Sequence, residues 1–337
     1  MENPLLELQE YENLRDALKK AKGPLQATGT LDSQKVHLMY WLGKDGGFPW
    51  KLVVTYDDQR AREIYDDFRS FTENVWLYPA KDLLFYSADI HGNLMTRQRI
   101  AVWRHLMEDE EGVVVTTLDG LMDHLLPLVF LKQQAVTVEN GQIMDLDEWK
   151  ERLTALGYER TAQVDGMGQF SIRGGIVDIF PLTEEAPVRI ELWDDEVDSI
   201  RSFDPESQRS VEQLEKVTIY PAAETVLTKK QLEAGIAGLE KEEKEYEAAL
   251  RAKHQIEEAS RIRGIIKELT EGIRQGWKRD GLDAYIRYFC PETVSFLDYF
   301  PAGDTLICLD EPARLKEKGE TVEQEFRESM IHRLEKG

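Results

Sequence analysis

Two short apolar segments, each followed by a helical pattern, constrain the fold of this chain more than any other sequence feature. Residues 51–55 (KLVVT) and 113–117 (VVVTT) lack polar alternation, which is typical of strands buried on both faces. Residues 59–71 follow the first segment with apolar positions at helical spacing. Further elements of the same kind are predicted at 74–77, 96–107 and 118–126. Strands alternating with helices predict an α/β domain with a mainly parallel sheet covered on both faces.

The pattern changes after about residue 131, where short segments with two-residue alternation replace the buried strands. A helix is predicted at 147–156, and turns rich in Gly, Asp and Pro separate the segments after it. The predicted strands are 158–164, 169–172, 176–180, 188–192, 196–203 and 217–220. An antiparallel sheet with one helix on one face is the simplest α+β arrangement for this block.

A third block, at residues 225–288, is charged and helical and carries one apolar stripe. The stripe favours a helical subdomain packed on the first block over a free coiled coil. A buried strand is predicted at 305–309, and a polar helix at 321–337 has nothing obvious to end on. We therefore expect the chain to be a piece of a longer protein.

The charge and cysteine content narrow the range of functions. Lys and Arg neutralising phosphates supply most nucleic-acid affinity, so a net charge of −22 disfavours DNA binding by this chain and favours a protein partner. Two cysteines, Cys290 and Cys308, cannot form a disulfide framework. With no apolar run of the ~20 residues that a membrane helix needs, we expect a cytoplasmic protein with no membrane contact.

Residues 29–36 (GTLDSQKV) resemble a phosphate-binding loop that has lost its function. Gly29 and Lys35 fall in register with the pattern G-x-x-x-x-G-K-[ST]. Gln34 replaces the second glycine, where a side chain crowds the phosphate, and Val36 replaces the hydroxyl that would bind Mg²⁺. The sequence therefore predicts a degenerate nucleotide site.

Asp310 and Glu311 follow the predicted strand at 305–309, in the manner of the acidic pair of helicase-type ATPases. Without a phosphate-binding loop, these carboxylates have no metal–nucleotide complex to hold. The alternative interpretation is that they are simply the polar end of a buried strand. Either way, no ATP hydrolysis, cofactor or catalytic residue is expected in this chain.

A long motif in the second block resembles a known family. Residues 168–181 (GQFSIRGGIVDIFP) and 189–204 (RIELWDDEVDSIRSFD) are similar to the second domain shared by UvrB and the bacterial transcription-repair coupling factors (Mfd). Residues 76–79 (WLYP) and 94–100 (LMTRQRI) resemble the coupling factors rather than UvrB. UvrB has a longer tyrosine-rich hairpin there that clamps damaged DNA, and this chain has no room for it.

The resemblance covers essentially the whole chain and implies three domains and a partner. These are a degenerate helicase-like α/β domain at 1–131, an inserted α+β UvrA-docking domain at 132–223 and a helical subdomain at 224–337 whose final strand returns to the first sheet. The implied function is a non-catalytic recruitment module that binds UvrA and brings nucleotide excision repair to RNA polymerase stalled at DNA damage. Contacts with RNA polymerase and DNA, and the ATP-dependent translocase activity, would belong to downstream parts of the protein.

The two-residue alternation of the second block predicts a binding face. Arg173, Arg189 and Trp193 point away from the side covered by the predicted helix, so we expect an open face carrying residue types enriched at binding hot spots. The resemblance assigns these residues to UvrA binding, with Glu196 and Arg201 as weaker candidates. We expect the arginines to form bidentate pairs with partner carboxylates. The alternative is a solvated face whose Arg and Glu residues pair with each other.

The sequence also admits other interpretations. The same face could be masked by other domains of the same protein, making this an intramolecular autoinhibitory module. A DNA-dependent ATPase like UvrB is disfavoured by Gln34 and Val36.

His91 has no second His or Cys at ligand spacing, so we expect a loop histidine and no metal site. The adjacent Gly174 and Gly175 precede no helix and are expected to form a bulge or tight bend rather than a phosphate site.

Overall fold

The computed structural model describes residues 3–21, 23–81, 92–108, 110–275 and 282–336. His91 lies outside these residues. The chain divides into two compact units, the first at 1–123 and 295–336 and the second at 124–294. The domain boundaries expected after residues 131 and 223 stay a prediction.

A parallel sheet is the centre of the first unit. Its described strands are β1 (Trp50–Thr55), β2 (Val75–Tyr78), β3 (Gly112–Thr117) and β12 (Thr305–Leu309), in the order β12-β1-β3-β2. All three pairings are parallel, and β12 lies beside β1 although about 250 residues separate them in the chain. The expected α/β arrangement with a buried parallel sheet is confirmed.

Helices cover both faces of this sheet. The described helices of the unit are α1 (Gln9–Lys20), α2 (Asp32–Gly46), α3 (Asp58–Phe68), α4 (Gly92–Met107) and α10 (Pro312–Lys336), with short 3₁₀ helices at Pro4–Glu7, Asp119–Leu121 and Phe296–Tyr299. On one face, Ile64 and Phe68 of α3 pack against Val53 and Val115. On the other face, the ring of Phe296 stacks on Tyr78, and β1 and β2 also present their tryptophans there.

The second unit contains a six-stranded sheet in the order β10-β9-β8-β7-β6-β5. Its strands are β5 (Glu159–Arg160), β6 (Gln169–Arg173), β7 (Ile176–Ile179), β8 (Val188–Trp193), β9 (Glu196–Phe203) and β10 (Ser210–Leu214). Neighbouring strands are antiparallel except β5 and β6, which are parallel. A separate pair joins β4 (Val136–Glu139) to β11 (Lys216–Ile219).

The helices of the second unit are α5 (Leu128–Gln134), α6 (Leu146–Ala155), α7 (Lys229–Ala252), α8 (Ile256–Arg274) and α9 (Ile286–Phe289), with a 3₁₀ helix at Leu282–Tyr285. Trp149 and Leu153 of α6 are buried against the apolar side chains of the sheet. Helix α7 passes so close to α9 that a Cβ atom at Gly235 would lie 2.1 Å from the ring of Phe289. A glycine is therefore required at this crossing.

Several elements differ from the sequence-based predictions. The strand expected at 158–164 is only Glu159–Arg160, because the residues after it leave the sheet. The helix expected at 118–126 is a 3₁₀ turn at Asp119–Leu121. Strands β4 and β10 were not predicted. Strand β10 is exposed along most of its length and gives little apolar signal, whereas β4 has two buried valines but is only four residues long.

Candidate functional site

Alternation along β6 to β9 sorts the side chains of the second unit onto two faces. Ile190 and Val177 are buried in the core beneath α6. The strand register places Asp178 opposite Arg189, and Arg189 opposite Arg201, on the other face. We call this other face, with Arg173, Asp178, Arg189, Glu191, Trp193, Glu196 and Arg201, the outer face.

Asp178 is the centre of the outer face. Its side chain is 0% exposed and accepts hydrogen bonds from Arg189 Nε at 2.7 Å and from Arg189 Nη2 at 2.9 Å. Arg173 Nη2 donates to the same carboxylate at 2.8 Å. Charge-assisted, bidentate bonds of this kind are strong and directional, so one buried acid fixes both arginines. The hydrogen bonds to Asp178 raise the pKa of Arg189, which outweighs the opposite effect of burial.

Further contacts hold the guanidinium of Arg189. Arg189 Nη2 donates to Gln208 Oε1 at 3.1 Å, and Gln208 has a left-handed backbone with φ of 60°. The guanidinium carbon lies 4.5 Å from the centre of the Phe203 ring. Only 15% of the Arg189 side chain is exposed, compared with 49% for Arg173.

These contacts change the expected picture of an open face. Val164, Phe180 and Phe203 form a small buried cluster over one end of the sheet, so the outer face is partly covered. Arg189 already forms its bidentate pair with Asp178 within the chain, which leaves few of its N–H groups for a partner. The expected bidentate contacts of Arg173 and Arg189 with partner carboxylates stay a prediction, and Arg173 is the more accessible of the two.

Two further residues of the outer face, Arg201 and Glu191, form a second ion pair. Arg201 Nη2 bonds to Glu191 Oε2, and Ser199 Oγ lies 3.4 Å from the same oxygen. Both charged side chains are about one third exposed, at 34% and 32%. This pair therefore combines an internal contact with surface that a partner can reach.

Trp193 lies at the end of β8 with 80% of the residue exposed. The strand turns back through Asp194, whose φ of 59° suits a tight two-residue hairpin, so that Trp193 and Glu196 lie opposite each other. An indole this exposed gains nothing from the core of its own chain. Gly174, with φ of 59°, makes the corresponding tight turn between β6 and β7, as expected for a bend rather than a phosphate site.

The segment predicted to be a degenerate nucleotide site, at 29–36 in the first unit, is built differently from a phosphate-binding loop. Helix α2 already begins at Asp32, so residues 32–34 are helical where a phosphate-binding loop would need an open turn. Gln34 Oε1 accepts a hydrogen bond from Leu31 N at 3.2 Å and thereby caps the helix. Val36 is 0% exposed and packs against the parallel sheet, whereas Gly29 lies in the exposed segment before the helix. The residues that break the motif therefore serve the helix and the core.

Lys35 is neutralised by the acidic pair at the end of β12. Its Nζ atom lies 3.1 Å from Asp310 Oδ1 and 2.5 Å from Glu311 Oε1. The ammonium group that would face phosphates and the carboxylates that would hold a metal ion thus bind each other. Burial alone would lower the pKa of Lys35, but its hydrogen bonds to Glu311 and Asp310 outweigh this effect and raise it.

Asp310 is also tied to α3 and β1. Its other oxygen, Oδ2, accepts from Arg60 Nε at 3.1 Å and from Thr55 Oγ1 at 3.1 Å. The Asp310 side chain is 0% exposed, so these polar contacts compensate its desolvation. Arg60 is placed by Asp57, which caps α3 and accepts from Arg60 N at 2.7 Å.

One group among the described residues could hold a metal ion, which the sequence did not predict. The ligand atoms of His105, Glu108 and Glu110 lie within 4.8 Å of one another. His105 stacks on Trp76 with 4.0 Å between the ring centres, and Glu108 pairs with Arg104 at 3.2 Å. These protein contacts account for the positions of His105 and Glu108.

Sequence reasoning missed three residues that organise the sites: Asp178, Gln208 and Arg60. Their side chains act through partners that are distant in the chain, and no local motif marks them. Asp178 carried the one available signal, since a carboxylate within the apolar segment 176–180 calls for a buried counter-charge.

No helix in the described part of the chain is long and apolar enough to cross a membrane.

Comparison with known proteins gives a consistent result. Residues 136–224 match the family described as UvrB interaction domain. The chain is 34% identical over 288 residues to the transcription-repair-coupling factor of Bacillus subtilis (strain 168), which covers 85% of this chain and 24% of that protein. The proteins of the same name from Staphylococcus haemolyticus (strain JCSC1435) and Staphylococcus aureus (strain MRSA252) are 31% and 32% identical over 292 and 295 residues, with the same coverage. The chain thus spans 24% of the length of these curated relatives.

Proposed function

Because the chain carries a UvrB interaction domain at 136–224 and is a relative of the transcription-repair-coupling factors over 85% of its length, we propose that its outer face binds UvrA. In this role the chain is a non-catalytic recruitment module in the cytoplasm. It brings nucleotide excision repair to RNA polymerase stalled at DNA damage. Contacts with RNA polymerase and DNA belong to other parts of the longer protein.

The exposure of Trp193 is the observation that carries this proposal. Tryptophan and arginine are the side chains most enriched at binding hot spots, and 80% of Trp193 is exposed on the same face as Arg173 and Arg201. The buried Asp178 holds the arginines in place before any partner arrives. Preorganised side chains lose less conformational entropy on binding, which favours affinity.

The non-catalytic character of the module is supported by the first unit. We infer that this unit is a degenerate helicase-like domain, since Asp310 and Glu311 end a strand of a parallel sheet opposite Lys35. A nucleotide could reach Lys35 only after its two carboxylate contacts are broken. The buried Val36 offers no oxygen for a metal ion.

The direct test is binding of the purified chain to purified UvrA without nucleotide, measured by calorimetry and by co-elution from a sizing column. We expect a defined complex, and we expect the reversal Arg173→Glu with Arg201→Glu to weaken it at least about tenfold. Equal binding by wild type and double variant would contradict the proposed surface. An ATPase assay with DNA on the same sample should show no turnover, and measurable turnover would favour the UvrB-like alternative.

Intramolecular masking can coexist with UvrA binding. An indole with 80% exposure is a liability unless another surface covers it for part of the time. If other domains of the longer protein cover the outer face, UvrA will bind this chain more tightly than it binds the whole protein. Equal affinities would contradict the masking role and leave the docking role intact.

A further inference from the structure

A segment outside the named strands extends the outer face beyond β9. Gly141 N donates to Val197 O at 2.8 Å, Val197 N donates to Gln142 O at 2.9 Å, and Met144 N donates to Asp195 O at 2.7 Å. Residues 141–144 therefore run beside the start of β9 as a further strand-like edge. These residues lie within the family match at 136–224 but outside the motifs at 168–181 and 189–204.

This pairing places Ile143 on the outer face. Ile143 forms an antiparallel bridge with Glu196, and Glu196 lies opposite Trp193 in the β8–β9 hairpin. Residues directly opposite each other in antiparallel pairs point to the same face. Met144, the next residue along, is 1% exposed and lies in the core, as the alternation requires.

Two apolar side chains are therefore exposed in one transverse row. Ile143 is 62% exposed and Trp193 is 80% exposed, and two strand spacings of about 5 Å separate their backbones by about 10 Å. Single exposed apolar residues are ordinary on protein surfaces and need no explanation. Here two stand in one row, one on each side of Glu196, on the face that already carries the arginines, and we call this row the strip.

Acidic residues lie within and around this strip, and we call them its acidic rim. The exposed carboxylates are those of Asp194, Asp195, Glu196 and Asp198. The arginines lie in the rows farther along β8 and β9, beginning at the Glu191–Arg201 pair. The outer face is thus divided into an arginine-bearing part and an apolar part with an acidic rim.

We propose that Ile143 is a second apolar anchor for UvrA, contacting it together with Trp193. This inference rests on the proposed function and deepens it. It predicts a complementary UvrA surface with an apolar depression rimmed by Lys or Arg, next to carboxylates that pair with Arg173 and Arg201. Continuity of the strip with the arginine rows argues for the same partner, and the acidic rim argues for basic groups on that partner.

The test is calorimetric titration of UvrA with the whole 337-residue chain carrying single substitutions. Ile143→Asp should weaken binding at least about tenfold, whereas Ile143→Val should stay within about threefold of wild type. The matched control is Ile256→Asp, because Ile256 is 58% exposed in the same unit and begins α8, where an acidic residue is tolerated. This control should bind like wild type.

A second variant keeps the inference testable if Ile143→Asp fails to fold. Asp198→Lys changes an exposed residue of the rim and should weaken binding while making it less sensitive to salt. If Trp193→Ala weakens binding but Ile143→Asp and Asp198→Lys both match wild type, the inference about Ile143 is overturned and the docking function stands. If the wild-type chain itself fails to bind UvrA, the proposed function falls and this inference falls with it.

Discussion

Asp178 binds Arg189 through two parallel hydrogen bonds, from Nε at 2.7 Å and from Nη2 at 2.9 Å, at a position where the carboxylate is fully buried. The same acid also accepts from Arg173. A partner that binds these arginines therefore binds groups whose positions are set by Asp178, which is buried and cannot contact the partner. We therefore expect the stability of this face and the binding of a partner to it to be coupled through Asp178.

Replacing Asp178 should destabilise the second unit. Asp178→Asn leaves two guanidinium groups without their counter-charge, and breaking a buried ion pair from one side costs about 3 kcal/mol. Urea denaturation followed by circular dichroism measures the loss. The control is Asp198→Asn on β9, an exposed residue whose replacement should change the free energy of unfolding by less than about 0.5 kcal/mol. Equal stability of the two variants would contradict the assigned role.

Substitutions of Arg173 and Arg189 should affect UvrA binding and stability differently. Arg173 is 49% exposed, so Arg173→Ala should weaken UvrA binding about tenfold with little change in the unfolding midpoint. Arg189 is 15% exposed and fills the space between Asp178 and Phe203, so Arg189→Ala should lower both affinity and stability. If Arg173→Ala binds normally, the accessible arginine is not a UvrA contact.

Lys35 should stabilise the first unit in a pH-dependent way. Its pKa is raised in the folded chain, so its contribution is fully present below the ordinary lysine value of about 10.5 and is lost as pH rises through the raised value. Lys35→Met should lower the free energy of unfolding by about 1 kcal/mol at pH 7. That difference should hold up to about pH 9.5 and shrink above about pH 10.5. A constant difference across this range would contradict the ion-pair account.

Restoring the motif should not restore nucleotide binding. The double variant Gln34→Gly with Val36→Thr again matches the sequence pattern of a phosphate-binding loop. In this variant Lys35 remains bound to Asp310 and Glu311. The Val36→Thr change would place a hydroxyl at a buried core position, and the loss of Gln34 would remove the cap of α2. Titration with a fluorescent ATP analogue and Mg²⁺ should show no saturable binding by wild type or variant. Saturable binding by the variant would show that the ion pairs of Lys35 do not prevent nucleotide binding.

Alternation alone predicted much of the six-stranded sheet of the second unit. Arg173, Arg189 and Trp193 point to the face that the two-residue period assigned to them, because each strand is buried on one side only. Which residues pair across that face depends on the strand register. No local signal in the sequence gives this register, so the role of Asp178 was not predicted.

Long-range contacts explain the features of the structure that could not be predicted from the sequence. Lys35 and Asp310 were both predicted to belong to a degenerate nucleotide site, but they lie 275 residues apart. Their direct pairing follows from β12 joining the parallel sheet beside β1, which is a property of the fold. Ile143 was missed for a similar reason, since its segment joins β9 through backbone bonds and has no strand pattern of its own.

The central claim is that Trp193 anchors UvrA on the outer face, and one calorimetric comparison tests it most directly. UvrA is titrated with wild type, Trp193→Phe and Trp193→Ala, whose thermal midpoints should agree because the side chain is exposed. We predict that Trp193→Phe stays within about threefold of wild type and that Trp193→Ala binds at least about tenfold more weakly. Equal affinity of Trp193→Ala and wild type would contradict the claim.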